Sequence, residues 1–210
     1  SVHAFGESTL GPYFLGLIIA VLAGSFILLF TRLPLLRSEN SLESYISREA
    51  IFLYNNLLLV GLAFAVFWGT MFPVLSEAVR GEKITVGQGF FNQVAAPIGL
   101  GLLFLTGVGP LISWRKASGR ELRRRFGAPL VVAVIAIIPA VYVAQDGGHW
   151  WAALAIILGA FTVACIVGEY WRGMRVRHQL GGISWPGAFG QLFVRNRRRY
   201  GGYIVHLGIV

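Results

Sequence analysis

The chain has 210 residues, of which 56% are apolar and 13% charged, and its mean hydropathy is +0.68. An ordinary soluble domain carries roughly a quarter charged residues and a little under half apolar ones, so the excess is more than one buried core absorbs. A soluble enzyme, a disordered tail and a disulfide scaffold are excluded, and the composition is that of an integral membrane protein. Lys and Arg number 18 against 9 Asp and Glu, for a net charge of +9. In a soluble protein that balance would point to nucleic acid; in a membrane protein it reports basic loops retained on the cytoplasmic side. The single cysteine, Cys165, lies within an apolar run and can form neither an internal disulfide nor a cysteine metal cage.

A bilayer core of about 30 Å takes about 20 apolar residues in a helix. In chain order the stretches 13–30, 50–72, 94–114, 128–144 and 150–171 qualify, and a sixth begins at about Tyr200 and runs to Val210. The expected fold is therefore all-α: a single polytopic membrane domain over 1–210, with five full transmembrane helices and the start of a sixth. The fourth stretch contains Pro139, which predicts a kink. No charged n-region precedes a short apolar stretch with a cleavage site, so no signal peptide is read. The last apolar run stops mid-stride, which suggests a piece of a longer protein.

The charges sort between the two sides. Segments 31–49, 115–127 and 172–199 alternate along the chain, and they hold three, six and seven Lys or Arg, sixteen together. The intervening segments 1–12, 73–93 and 145–149 hold none, two and none. Sixteen against two predicts residues 1–12 outside and the basic loops cytoplasmic. The runs RELRRR and RNRRR thus fall where topology requires positive charge, and no nucleic-acid partner is expected. Trp68, Trp114, Trp150, Trp151 and Trp171 lie at or near the span ends, as interfacial aromatic rings do. Trp68 and the Trp150–Trp151 pair could alternatively stack on a planar ligand.

Few polar residues lie inside the spans. Asn55 and Asn56 suit interhelical hydrogen bonds, and Glu169, near Arg172 and Arg175, suits an interfacial ion pair. His206 lies six residues beyond Tyr200, hence about 9 Å along a helix from the basic flank. A neutral imidazole in hydrocarbon needs a partner, so it reads as a hydrogen-bonded core histidine or as a haem-iron ligand or proton carrier. Gly201, Gly202 and Gly208 leave its helix open to close approach. His3 reads as solvated or as an external ligand, whereas His149 and His178 read as solvated. No phosphate loop, catalytic triad, HExxH motif or intramembrane acidic pair is present. Isolated imidazoles suit haem, because the porphyrin supplies four equatorial nitrogens and the protein adds only one or two ligands.

Six motifs in register carry a family resemblance: SVHAFGES at 1–8, ISREAIFLYNNLLL at 46–59, WGTMFP at 68–73, ITVGQGFFNQVAAP at 84–97, GVGPLISWR at 107–115 and RRYGGYIVHLG at 198–208. Together they resemble the C-terminal portion of the CcmF family of cytochrome c-type biogenesis proteins, along the whole chain. The resemblance implies a haem lyase component of the bacterial inner membrane, which receives haem from a haem chaperone and helps attach it to apocytochrome c at the outer face. It implies His3 as ligand of haem in transit. His206 matches a ligand of a resident b-type haem, reduced by quinol, whose second histidine lies outside this chain. Trp68 and the loop 73–93 are weaker candidates for the outer haem surface. Other maturation subunits are the implied partners.

The family's tryptophan-rich WWD segment and the first histidine of each pair are not in this sequence, and Trp150–Trp151 is not that motif. The fragment alone is therefore expected to be inactive. With His3 outside and His206 in the cytoplasmic half, one haem cannot serve both across about 30 Å, and two are required. A haem or small-solute transporter would instead favour broken helices and midplane polar sites, and a non-catalytic scaffold of the maturation complex would need no haem ligand.

Overall fold

The computed structural model describes residues 9–36, 42, 44–112, 118–145 and 150–210. They form seven α-helices: α1 (Gly11–Leu36), α2 (Arg48–Arg80), α3 (Gln88–Val108), α4 (Gly119–Ile135), α5 (Ile137–Gln145), α6 (Trp150–Gly181) and α7 (Trp185–Ile209). A 3-10 turn at Gly109–Leu111 follows α3. The stretches Gly11–Leu36, Arg48–Arg80, Gln88–Leu111, Gly119–Gln145 and Trp150–Gly181 are each long and apolar enough to cross a membrane. Their outward faces are apolar, with Leu17, Phe30 and Phe64 all more than half exposed. Lipid solvates such faces without the cost water would impose. The protein is an all-α polytopic membrane protein.

The chain divides into two compact units. The first holds α1 and the segment Met71–Thr85, which contains the end of α2. α1 has no buried residue, and its hydroxyls are satisfied within the helix: Ser25 Oγ donates to the Val21 carbonyl at 2.7 Å and Thr31 Oγ1 to that of Ile27 at 2.8 Å. Gly81, with φ of +71°, takes the left-handed conformation that closes α2, and its N–H donates to the Glu77 carbonyl at 2.9 Å. The buried Ser76 hydroxyl donates to Pro73 and accepts from the Ile84 N–H, each at 2.9 Å.

The second unit comprises Leu42–Thr70 and Val86–Val210, and α6 is its centre, packed against α3, α4, α5 and α7. Small residues permit this packing. A Cβ on Gly107 would lie 2.8 Å from Thr162 Oγ1, so α3 and α6 meet nearly backbone to backbone, and that hydroxyl donates to the Leu103 carbonyl at 3.1 Å. Ile51, Val108, Leu111, Ile112, Phe161 and Cys165 form one core cluster; Ile166, Leu192, Tyr200 and Tyr203 form the other, between α6 and α7. α4 begins with a capping sequence, in which Ser118 Oγ accepts from the Glu121 N–H at 3.2 Å.

Two features differ from the sequence expectation. The kink expected at Pro139 is a break at Ala136, between α4 and α5. Proline has no N–H for the carbonyl four residues back, that of Ile135, so the ladder fails one turn before the ring. The last helix starts at Trp185 rather than near Tyr200, and it bends at Asn196, whose φ of −136° and ψ of 47° are non-helical.

Candidate functional site

The second unit contains a cavity of about 540 Å³ bounded by three helical segments. α2 contributes Arg48, Ile51, Phe52 and Asn55. The end of α3 and the 3-10 turn contribute Leu105, Thr106, Gly109 and Pro110, and α7 contributes Arg198, Arg199, Gly202, Tyr203 and His206. These are helical faces: Arg48, Ile51, Phe52 and Asn55 recur at the i, i+3, i+4, i+7 interval, as do Arg199, Gly202, Tyr203 and His206. α2 runs antiparallel to α3, since Gly109 faces Ile51, Gly101 faces Leu58 and Gly69 faces Phe91. That direction brings the start of α2 to the end of α3.

His206 is half-buried on the cavity wall, and its Nδ1 is a buried nitrogen with no hydrogen-bond partner among the described residues. The reading of His206 as a hydrogen-bonded core histidine is therefore not supported at Nδ1. His206 lines the same wall as the apolar Ile51, Phe52 and Leu105, a combination of one imidazole and apolar surface that suits a porphyrin. No group of three or more His, Cys, Asp or Glu able to hold a bare metal ion exists among the described residues. Haem needs no such group, so the residues present fit it through one axial ligand.

Two of the arginines around the cavity, Arg48 and Arg199, are held by neighbours. Arg48 Nη2 donates to the Pro110 carbonyl at 3.0 Å, and Arg48 Nε is buried without a partner among the described residues. Arg199 Nε donates to Tyr203 Oη at 3.0 Å, and its Nη2 pairs with Glu169 Oε2. Glu169, 3% exposed, also takes Arg172 Nη2 at 2.6 Å on its other oxygen. The ion pair expected at Glu169 thus joins α6 to α7 through Arg199. Arg175 instead lies over the Trp171 ring at 5.6 Å.

The other candidates lie elsewhere. His3 and His149 are outside the described residues, as is Trp114. Trp68 is on α2, partly exposed and stacked on Phe64 with centroids 6.2 Å apart. The loop expected over 73–93 is largely helix, because α2 extends to Arg80 and α3 starts at Gln88. Asn55 lines the cavity whereas Asn56 faces outward. His178, expected to be solvated, is half-buried and stacked on Trp185 at 4.4 Å, with Nδ1 2.6 Å from the Ile183 carbonyl. Composition and spacing missed Arg48, Arg198, Arg199 and Tyr203 as companions of His206. The signal available was the seven-residue interval from Arg199 to His206, which sets both on one helix face.

Comparison with known proteins gives the same assignment from independent sequences. CcmF of Pseudomonas aeruginosa, a cytochrome c-type biogenesis protein, is 30% identical over 211 residues, covering all of this chain and 30% of that protein. The biogenesis protein ccl1 of Rhodobacter capsulatus is 31% identical over 82% of this chain and 26% of its own length. A solved structure described as cytochrome c haem lyase CcmF superposes with a TM-score of 0.56 at 33% identity, over 79% of this chain and 24% of that one. The chain belongs to the CcmF family. No family model matches it. It spans about 30% of the length of the first-named CcmF relative, so the cavity is one part of what a CcmF protein contains.

Proposed function

We propose that this chain is part of a membrane haem lyase of cytochrome c maturation. In this reading the complete protein receives haem from a haem chaperone and attaches it to apocytochrome c at the outer face of the inner membrane. This chain holds a resident b-type haem through His206 and meets the haem in transit through His3. The carrying observation is the position of His206 on the wall of a cavity of about 540 Å³ that Ile51, Phe52 and Leu105 also line. Membership of the CcmF family and likeness to a haem lyase structure support it.

When bound, the haem supplies a one-electron iron centre, and quinol is the proposed source of electrons. The chain's own residues do the holding. His206 would supply one nitrogen to the iron, and a second histidine would come from outside this chain. Ile51, Phe52 and Leu105 keep water from that face. Residues 1–12 lie outside and the basic loops face the cytoplasm, on the strength of sixteen basic residues against two. Other maturation subunits complete the assembly.

The test is His206→Ala in the complete protein, read by pyridine haemochrome and reduced-minus-oxidised spectra. The expected outcome is loss of most b-type pigment with helix content unchanged. His3→Ala should keep the resident pigment and abolish cytochrome c maturation. Unchanged pigment in His206→Ala, or normal cytochrome c yield with either substitution, overturns the reading, the second result being that of a scaffold.

A further inference from the structure

Among the described residues the cavity wall carries three guanidinium groups and no carboxylate: Arg48 from α2, and Arg198 and Arg199 from α7. Arginine stays charged at any physiological pH, and Arg48 and Arg198 pair with no carboxylate among the described residues, so the wall holds positive charge beside apolar side chains. Glu169, the nearby acid, is not part of that wall and is already shared between Arg172 and Arg199. Positive-inside topology accounts for basic residues in water; it gives no reason for Arg48 to be half-buried with a nitrogen lacking an acceptor.

Arg48 is also held in place. Its Nη2 is tied to the Pro110 carbonyl at 3.0 Å, which fixes the plane of the fork while leaving Nε unsatisfied. A planar guanidinium so fixed is built for a carboxylate or phosphate, which accepts two parallel hydrogen bonds. Arg199 is fixed likewise by Tyr203 and Glu169. The separation from His206 is set by the helix: seven residues from Arg199 correspond to about 10.5 Å along the axis. That is the order of the reach from the iron of a porphyrin to the carboxylates at its edge.

Resting on the reading of His206 as haem ligand, we propose that Arg48, with Arg198 and Arg199, binds the propionate carboxylates of the resident haem, so that the cofactor is clamped at its iron by one helix and at its acidic edge by two. The porphyrin then has one orientation in the cavity.

The test uses the complete protein, stripped of pigment and refilled with haem or with haem dimethyl ester, in which the carboxylates are blocked. Release to apomyoglobin is timed for the wild type, Arg48→Gln, Arg198→Gln and His206→Ala. The wild type should release the ester about tenfold faster than haem, the worth of one charge-assisted hydrogen bond. Arg48→Gln should release haem about tenfold faster, with the wild-type low-spin spectrum retained and the haem-to-ester difference reduced, since Arg198 and Arg199 remain. Equal retention of haem and ester by the wild type overturns the proposal. So does an Arg48→Gln variant that speeds both ligands equally, which marks a structural defect; if it does not fold, Arg198→Gln, at an exposed side chain, supplies the same comparison. Protection of the stripped protein by phosphatidylglycerol vesicles, lost in Arg48→Gln and without any ester effect, assigns the arginines to lipid and also overturns it. Failure of the His206 reading is separate: His206→Ala then leaves the iron spectrum unchanged, whatever the ester comparison gives.

Discussion

Glu169 is the residue on which the α6–α7 pairing turns. A carboxylate 3% exposed has lost its hydration, and only close partners offset that. It has Arg172 on one oxygen and Arg199 on the other, with the Tyr203 hydroxyl at 3.4 Å. Glu169→Leu strands two guanidinium groups. Their side chains are 36% and 51% exposed, so both can turn toward water, and the cost is about 1–3 kcal/mol rather than the larger figure for a fully enclosed pair. Thermal unfolding in detergent, followed by tryptophan fluorescence, should show a midpoint lower by several degrees. Under the proposed haem reading, retention of the cofactor should fall as well, although Glu169 does not line the cavity, because Arg199 loses its anchor. An unchanged midpoint would mean that apolar packing alone joins the two helices.

At the scale of helices, close approach depends on particular glycines and not on glycine content. A side chain at Gly107 would meet Thr162 Oγ1 at 2.8 Å and the Thr162 Cα at 3.1 Å, and backbone cannot swing aside. Gly107→Leu should therefore part α3 from α6, break the Thr162–Leu103 hydrogen bond and destabilise by about 3 kcal/mol. Gly99, on the same helix, has nothing within 4 Å of its would-be Cβ, so Gly99→Ala should be neutral or stabilising by about 0.5–1 kcal/mol. Comparing the two midpoints separates packing from backbone entropy. The break at Ala136 belongs to this scale too, since one proline decides where an otherwise continuous apolar run becomes α4 and α5.

For the molecule as a whole, the apolar side chains left exposed would be an aggregation hazard in water and are ordinary in lipid. Orientation is then the largest open consequence of the charge pattern. With cysteines placed singly at two exposed sites, a membrane-impermeant maleimide should label Glu82→Cys in intact spheroplasts and Gln179→Cys only after the membrane is opened. The native Cys165, 0% exposed, should stay unlabelled until the protein is denatured, so it needs no removal. The reverse labelling pattern would invert the orientation and move His206 to the other half of the bilayer.

The amino-acid sequence by itself determined the membrane class, the all-α architecture, the family and the choice of His206 as the histidine to examine. Hydropathy and motif spacing are additive along the chain, and a bilayer reads them segment by segment. It also made the Glu169–Arg172 contact legible, because three residues on a helix are neighbours whatever the fold. Only the tertiary structure decided that Glu169 takes Arg199 and not Arg175, and that Arg48 leaves water to share a cavity with His206. Both depend on antiparallel helices bringing distant turns together, and charge counts along the chain carry no information about that. Arg48, Arg198 and Arg199, which in the sequence count only toward the expected orientation, are in the folded protein part of a cavity wall.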